Sequence, residues 1–319
     1  MEHQLHLLGG RAHTELAQKI ADELGVELSP VKLDNFADGE ISCRIGESVR
    51  GDDVFVFQTH ASNVNDAVME QAIMIDAAKR ASASSITAVC PYLGYARQDR
   101  KSNGREPISV RLVVDILSAA GADRIMSVDL HSGQTQGFFD GPFDHLIARP
   151  ILVDYMTKNF SSKGLVIVSP DAGRVKVAER YGSDLGCDIA IVHKQRSKVK
   201  NNYVEAKYLI GNVKNKTCVV IDDMIDTAGT ICAAADLLAE HGAKEVYGMT
   251  THGLFSGPAI ERIEKSAFKK IIVTDTLPQD KKKSKKIEVL TIAPLIASAI
   301  SAVYTRDSVS QIFDGQNQF

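Results

Sequence analysis

The sequence contains little that points to a membrane or to secretion. None of its apolar runs reaches the ~18 residues that a membrane helix needs, and its first residues, Met1-Glu2-His3-Gln4, lack the basic and then apolar order of a signal peptide. The five cysteines are scattered and include no Cys-x-x-Cys pair, so neither a disulfide framework nor a zinc site is indicated. We therefore expect a protein of the reducing cytoplasm with no membrane partner.

An excess of basic residues is also missing. The net charge of −3 gives no general footprint for nucleic acid, and no such partner is expected. The lysine-rich stretch 281–286 is interpreted as a solvated loop. A hydrophobic fraction of 44% and a charged fraction of 24% are ordinary for a globular protein. At ~100–200 residues per domain, the length of 319 residues predicts about two domains.

Apolar runs alternate with helical patterns from one end of the chain to the other. The patterns predict strands at 5–8, 31–36, 40–45, 53–59, 85–89, 124–128, 165–169, 189–193, 217–221, 245–250 and 270–274. They predict helices at 13–24, 64–81, 109–120, 150–159, 231–241, 258–264 and 294–302. This alternation favours an α/β fold whose parallel sheets carry helices on both faces and bind ligands beyond the carboxyl ends of the strands. We place a domain boundary near residue 147, after a long loop.

The most informative stretch is residues 219–230, which read VVIDDMIDTAGT. An apolar strand ends on Asp222 and Asp223, and a turn of small and hydroxyl residues then leads into an alanine-rich helix. Unpaired N–H groups and the helix dipole favour an anion at such a turn, while carboxylates accept hydrogen bonds from vicinal hydroxyls. The stretch therefore predicts a site for a phosphorylated sugar. An ordinary capped strand-to-helix turn is the alternative.

The two halves of the chain resemble each other weakly. The stretch 128–135 follows a predicted strand, as the stretch 221–230 does. We interpret this as a duplicated fold whose N-terminal copy has lost its phosphate loop; convergent chemistry at the ends of strands is the alternative.

Two stretches of the N-terminal half are typical of a nucleotide site. Phe36, Asp38 and Glu40 surround a predicted hairpin tip, where an aromatic ring stacks on a purine and a carboxylate accepts from its exocyclic amine. The stretch 91–101 follows a strand and supplies cations for a polyphosphate and the amide of Gln98 for a base edge. Taken alone, the first is also compatible with a plain hairpin and the second with single-stranded nucleic acid.

Three further stretches follow predicted strands. Asp129 and His131 form one of them; Mg²⁺ prefers oxygen ligands, so His131 alone is equally compatible with a hydrogen-bonded loop residue. Asp171 is placed to hold a metal or a sugar hydroxyl. The polar stretch 193–202 indicates a mobile flap, either a solvated loop or a cationic lid over a transferring phosphoryl group.

Together these stretches resemble the ribose-phosphate diphosphokinases, or PRPP synthetases, of the phosphate-activated class. The match extends from Phe36 to the tail 308–313. It implies two similar domains of the type I phosphoribosyltransferase kind, each a mostly parallel sheet flanked by helices. Residues 1–147 are then the ATP domain and residues 148–303 the ribose 5-phosphate domain, with the tail 304–319 packing on the first. The implied reaction transfers the β,γ-diphosphoryl group of ATP to the C1 hydroxyl of ribose 5-phosphate, giving PRPP and AMP.

The resemblance also implies roles for individual residues. The catalytic cations are Lys194 and Arg196, and the Mg²⁺ residues are His131 and Asp171. ATP is contacted by Phe36, Asp38, Gly39, Glu40, Arg97 and Gln98. Ribose 5-phosphate is contacted by Arg196, Asp222, Asp223, Asp226, Thr227, Ala228, Gly229 and Thr230. Regulation by activating phosphate and inhibiting ADP, within a homohexamer, is implied at an anion site of Ser48, Arg50, Ser308 and Ser310.

Two positions depart from the commonest pattern of that family. Arg174 stands where a second glycine is frequent, and it either restricts the backbone of its loop or supplies a cation there. Gln195 is neutral where a charged residue is common.

Two other functions share parts of the pattern. A phosphoribosyltransferase that consumes PRPP uses the same turn at 222–230, but the two nucleotide stretches of the N-terminal half disfavour it. A non-catalytic regulatory partner of the synthetase is disfavoured by the presence of Lys194, Arg196, His131 and Asp171.

Overall fold

The described part of the chain divides into two units. The computed structural model describes residues 3–61, 63–199, 202–279 and 284–313, with the backbone alone for 194–199 and 202–207. The first unit comprises Met1–Ala148, Thr276–Pro278 and Thr291–Phe319, and the second comprises Arg149–Asp275 and Gln279–Leu290. Among the described residues, no helix has both the length and the apolar character needed to cross a bilayer.

The first unit is built on a parallel sheet. Its elements up to residue 148 are β1 (Leu5–Gly9), α1 (Thr14–Leu24), β2 (Val31–Asn35), β3 (Ile41–Ile45), β4 (Asp53–Phe57), α2 (Val64–Arg80), β5 (Ser85–Cys90), α3 (Ser109–Ala120), β6 (Arg124–Val128) and β7 (Phe143–Leu146). The sheet has the order β1-β4-β5-β6-β7, and every neighbouring pair is parallel. Leu8, Val54 and Ala88 pack with α2 and α3 on one face, while Leu7 and Phe55 are buried on the other. Apolar residues on both faces explain the nearly continuous apolar strands.

A separate hairpin projects from this unit. Strands β2 and β3 pair antiparallel, with Asn35 opposite Ile41, and form a two-stranded sheet of their own. The hairpin predicted around Asp38-Gly39 is therefore present, and its tip spans residues 36–40.

The second unit contains a seven-stranded sheet. Its elements are α4 (Arg149–Asn159), β8 (Leu165–Ser169), α5 (Val175–Leu185), β9 (Asp188–Val199), β10 (Asn202–Ile210), β11 (Thr217–Ile225), α6 (Gly229–Glu240), β12 (Glu245–Gly253), α7 (Ala259–Lys265), β13 (Phe268–Thr274) and β14 (Ile287–Leu290). The order is β10-β9-β8-β11-β12-β13-β14, parallel except for the antiparallel pair β9 and β10. The mostly parallel α/β architecture predicted for both halves is confirmed.

Four elements were not predicted. Strand β7 lies in the stretch predicted to be a long loop, because its alternating sequence FDHL has too few apolar residues to reveal a strand. Strand β14 is equally short. In α5 the buried residues Ala178, Tyr181 and Gly182 have helical spacing, but charged residues surround them. Strand β10 pairs with β9, which continues to Val199, so the backbone of the predicted flap is a β-hairpin at the sheet edge.

The last helix, α8 (Ala293–Tyr304), belongs to the first unit although residues 148–303 were assigned to the second domain. It packs against α1, burying apolar residues such as Leu295 and Ile296. The hydroxyl of Tyr304 donates to the carbonyl of His3 at 2.6 Å. The apolar face of α8 needs a partner, and α1 supplies it. Whether the units are independent domains stays a prediction.

Candidate active site

The two adjacent carboxylates lie inside β11, whereas the apolar pattern ended the strand at residue 221. The ladder with β12 continues past them, pairing Asp222 with Thr250 and Ile225 with Gly253. A neighbouring parallel strand supplies backbone partners that an apolar pattern does not reveal. Asp222 and Asp223 are therefore held by the end of the sheet itself.

The turn after β11 has its carbonyl groups bonded to one side. Three carbonyl oxygens accept hydrogen bonds from a neighbouring segment: Ile225 O from Phe255 N at 3.0 Å, Asp226 O from Ser256 N at 2.9 Å, and Thr227 O from Arg262 Nη1 at 2.9 Å. In a trans peptide the N–H group points away from the carbonyl that precedes it. The N–H groups of residues 226–228 therefore face away from the segment 255–262.

The N-terminus of α6 continues this set of N–H groups. Ala228 precedes the helix with φ 59° and ψ 5°, the left-handed conformation. Among the described residues, no side chain caps this end of α6. The first N–H groups of a helix have no partner within the helix, and the helix dipole adds partial positive charge there. Turn and helix end together are suited to bind an anion such as a phosphate.

An arginine contacts both carboxylates of β11. Arg174 Nη2 lies 2.5 Å from Asp223 Oδ1, and Arg174 Nε lies 3.5 Å from Asp222 Oδ1. Burial raises the pKa of Asp222 well above its ordinary value, and the adjacent Asp223 raises it further, whereas Arg174 lowers it. Arg174 has φ −102°, so the backbone of its loop accommodates a side chain without strain.

Asp171 lies after β8, exposed at the start of a short 3-10 helix, Ala172–Arg174. Its Oδ1 accepts from Gly173 N at 2.8 Å, and its carbonyl accepts from Ser169 Oγ at 2.6 Å. The carboxylate is thus fixed at the carboxyl edge of the second sheet.

The two predicted catalytic cations lie on β9. The backbone of Lys194 is paired with Lys207 and that of Arg196 with Glu205, both on β10. The side chains of Lys194 and Arg196 lie outside the described residues, so their role stays a prediction.

In the first unit, a relay of hydrogen bonds joins the hairpin tip to the interior. Glu70 is only 3% exposed; it accepts from Arg11 N at 2.7 Å, Arg11 Nε at 2.6 Å and Gln58 Nε2 at 2.8 Å. Arg11 Nη1 donates to Asn35 Oδ1 at 2.7 Å, and Asn35 Nδ2 donates to Gly39 O at 2.9 Å. The tip is thereby tied to a buried carboxylate.

The tip itself presents the predicted nucleotide residues. Phe36 is 60% exposed, and Asp38 and Glu40 are exposed beside it. Asp38 Oδ1 accepts from Glu40 N at 3.1 Å, and Gly39 takes φ 98°, which favours glycine. An exposed aromatic ring on a fixed turn is suited to stack on a base.

The loop after β5 carries Arg97 and Gln98, both exposed. Gln98 Oε1 accepts from Ser109 Oγ at 2.5 Å. The start of this loop is held by His60, whose Nδ1 accepts from Gly94 N at 3.0 Å. A Cβ on Gly94 would lie 2.6 Å from Val64 Cγ2, so only glycine fits there.

His131 follows β6 in the first unit and is half-buried, whereas Asp171 belongs to the second unit. The preceding Asp129 is buried, has φ 39°, and accepts from Ala148 N at 3.3 Å. Among the described residues, no group of three or more His, Cys, Asp or Glu side chains converges as a metal cage. The metal role of His131 and Asp171 stays a prediction.

The residues of the predicted regulatory anion site are all exposed in the first unit. Ser308 Oγ and Ser310 Oγ are 2.8 Å apart in the tail. Within the described part of the chain, no hydrogen bond or ion pair joins them to Ser48 or Arg50. The site stays a prediction.

Three residues with a clear part in holding these loops were not identified from the sequence. Arg262 orients the turn after β11, Glu70 anchors the hairpin, and His60 anchors the loop after β5. Their partners lie far away along the chain, so local patterns carry no signal for them; only an isolated polar residue in an apolar helix, such as Glu70, is a hint.

Two parallel α/β units, one with an anion-binding turn beside paired carboxylates, define a protein of the phosphoribosyl-handling class. Residues 5–121 match the family model for the N-terminal domain of ribose phosphate pyrophosphokinase, and residues 205–314 match that for the phosphoribosyl synthetase-associated domain. The chain belongs to the ribose-phosphate pyrophosphokinase family, as the sequence resemblance predicted.

Individual relatives agree over nearly the whole length. The ribose-phosphate pyrophosphokinase of Streptomyces coelicolor is 52% identical over 316 residues, covering 99% of this chain and 98% of that protein. The one from Bifidobacterium longum is 52% identical over 314 residues, covering 97% and 92%. The crystal structure of phosphoribosylpyrophosphate synthetase from Mycobacterium smegmatis superposes with a TM-score of 0.90 at 50% identity, covering 95% of this chain and 99% of that one.

His60 predicts a specific loss of stability in acid. It is 1% exposed and donates from Nε2 to Gln71 Oε1 at 2.9 Å, and burial lowers its pKa to about 4. Between its unfolded pKa of 6.5 and about 4, the unfolded chain binds a proton that the native chain does not, so stability falls as the pH falls. At 1.36 kcal/mol per pKa unit, this costs about 3 kcal/mol by pH 4.

Denaturant unfolding at several pH values between 7 and 4 measures this loss. The His60→Gln variant is expected to start less stable at pH 7 and to lose less stability on acidification than the wild type. His241→Gln, which removes an exposed histidine, is the matched control. Parallel pH curves for wild type and His60→Gln would contradict the assignment.

Proposed function

We propose that this chain transfers the β,γ-diphosphoryl group of ATP to the C1 hydroxyl of ribose 5-phosphate, giving PRPP and AMP. The observation that carries the proposal is the turn after β11, whose carbonyls are bonded away from an anion site beside Asp222 and Asp223. Its place in a chain 52% identical to enzymes named ribose-phosphate pyrophosphokinase supports this reaction over others that use a sugar phosphate.

The second unit would bind the sugar phosphate. The 5-phosphate accepts hydrogen bonds from the turn and the start of α6, Asp226 to Thr230, where hydroxyl donors of Thr227 and Thr230 add to the N–H groups. The carboxylates of Asp222 and Asp223 accept from the 2- and 3-hydroxyls. Fixing both ends of the sugar orients its C1 hydroxyl, which is how positioning lowers the barrier.

The first unit would bind ATP. Phe36 stacks on the adenine, and Asp38, Gly39 and Glu40 lie around its edge on the hairpin tip. Arg97 and Gln98 complete the nucleotide site from the loop that His60 holds.

Phosphoryl transfer needs little covalent chemistry from the protein. The C1 oxygen forms a bond to the β-phosphorus and loses its proton, while the bond from that phosphorus to the bridging oxygen breaks and AMP leaves in line with the electron pair. Charge builds on the phosphoryl oxygens, so cations placed there accelerate the step. Lys194 and Arg196 on β9 are proposed as these cations, with Arg196 also contacting the sugar phosphate.

Magnesium is the proposed cofactor. Mg²⁺ takes one or two protein carboxylates together with waters and substrate phosphates, and the exposed, fixed carboxylate of Asp171 fits such an open site. His131 is the second proposed residue, although a nitrogen ligand is unusual for this ion. When bound, the ion bridges and neutralises phosphate oxygens.

The test of the reaction is AMP release by the purified chain with ATP, Mg²⁺ and phosphate, with and without ribose 5-phosphate. We expect AMP only when the sugar phosphate is present, in equal amount to PRPP. Lys194→Ala, the matched variant, should turn over at least ~10²–10³-fold more slowly, because it lacks a donor at developing charge, and should still bind ribose 5-phosphate. AMP formation without PRPP would overturn the reaction, and no AMP from folded protein that binds ATP would favour the regulatory partner.

The relay behind the hairpin predicts a selective defect. Arg11→Met removes the link between Glu70 and Asn35, so the tip loses its anchor and the KM for ATP should rise about tenfold, as for a hydrogen bond to a charged group. The KM for ribose 5-phosphate should not change. Arg44→Met, an exposed arginine on β3, is the matched control and should leave both constants unchanged. Equal rises in both constants would contradict the relay's role.

Regulation is proposed at Ser48, Arg50, Ser308 and Ser310, where phosphate activates and ADP inhibits in a homohexamer. The exposure of these residues is compatible with an anion site. Turnover is expected to rise as inorganic phosphate is added, and Arg50→Met should need more phosphate for the same rise because it lacks the cation. Turnover that ignores phosphate would contradict the proposal, and sedimentation measures the assembly.

A further inference from the structure

Arg174 occupies an unusual place beside the sugar-phosphate turn. It is the last residue of the 3-10 helix after β8 and enters α5, yet its side chain reaches across to the end of β11. That side chain is only 15% exposed. A guanidinium of this kind is held by its partners rather than by solvent.

Its partners are the two carboxylates proposed to hold the sugar hydroxyls. Nη2 lies 2.5 Å from Asp223 Oδ1 and Nε lies 3.5 Å from Asp222 Oδ1, so different nitrogens of one planar group face the two side chains. Asp222 Oδ1 also accepts from the N–H of Asp223 at 2.9 Å. The rigid fork of an arginine fixes the orientation of such acceptors in a way that a lysine cannot.

The local charge explains why a cation is needed here. Two neighbouring carboxylates in a mostly buried position repel each other, and their repulsion and burial favour a protonated form of Asp222, which Arg174 opposes. A protonated carboxyl is a poorer acceptor for a sugar hydroxyl. Uncompensated, the pair would also repel the phosphate expected at the turn 226–230.

We propose that Arg174 is a positioning residue that orients Asp222 and Asp223 and balances their charge, and so determines the affinity of this site for a sugar phosphate. The proposal rests on the function proposed above. Arg174 acts through the two carboxylates, and the reacting atoms are not its target. A purely structural ion pair would affect the fold and both substrates alike.

The test is calorimetric binding of ribose 5-phosphate and, separately, of MgATP to the full chain. Arg174→Met should bind ribose 5-phosphate about tenfold to a hundredfold more weakly, the range for losing charged hydrogen bonds, and MgATP nearly as well as the wild type. Arg174→Lys keeps the charge without the fork and should fall between the two. Lys176→Met, which removes an exposed cation two residues away, is the matched control.

Steady-state kinetics gives the second measurement. Arg174→Met is expected to raise the KM for ribose 5-phosphate while kcat changes less than about threefold, because uniform binding is lost and transition-state contacts remain. Should the Met variant not fold, Arg174→Gln replaces it, since it retains a polar group of similar reach.

The outcomes separate this inference from the proposed function. Wild-type affinity for ribose 5-phosphate in Arg174→Met overturns the inference alone. An equal loss for both ligands, or no recovery in Arg174→Lys, assigns Arg174 a structural role and also overturns it. A wild-type chain that binds no ribose 5-phosphate contradicts the proposed function itself and the inference with it.

Discussion

The candidate site depends on how one turn uses its backbone carbonyls. Phe255, Ser256 and Arg262 occupy the carbonyl oxygens of residues 225–227, so the N–H groups of the following peptides face the other way. An isolated turn has no such preference, and its carbonyls would compete with its N–H groups for any ligand. The segment between β12 and α7 thereby converts a common strand-to-helix connection into an anion site, which the dipole of α6 strengthens.

The same relation recurs in the first unit, where buried polar groups position exposed ones. Glu70 holds the hairpin tip through Arg11 and Asn35, and His60 holds the loop that carries Arg97 and Gln98. A buried carboxylate or imidazole is costly unless it is fully hydrogen-bonded, so these contacts are rigid. The exposed residues proposed to meet the nucleotide inherit their positions from residues that it never touches.

The two units also show why only one of them has the phosphate turn. In the second unit, α6 begins directly after the turn and supplies a helix dipole. After β6 in the first unit, the chain instead enters a 3-10 helix, Gly133–Phe138, and the buried Asp129 takes φ 39°. This agrees with the interpretation that the N-terminal copy lacks a phosphate loop, since a short 3-10 segment presents no long helix dipole to an anion.

The sequence by itself determined the alternation of strands and helices, the hairpin at residues 36–40, the acidic strand end and the turn, because these depend on local periodicity and turn chemistry. It also carried the family resemblance. Only the tertiary structure decided that β11 continues through Asp222, that β10 pairs with β9, that α8 packs against α1, and that Arg174 reaches Asp223. Each of these depends on a partner distant in the sequence, where hydrogen bonding and burial override local pattern.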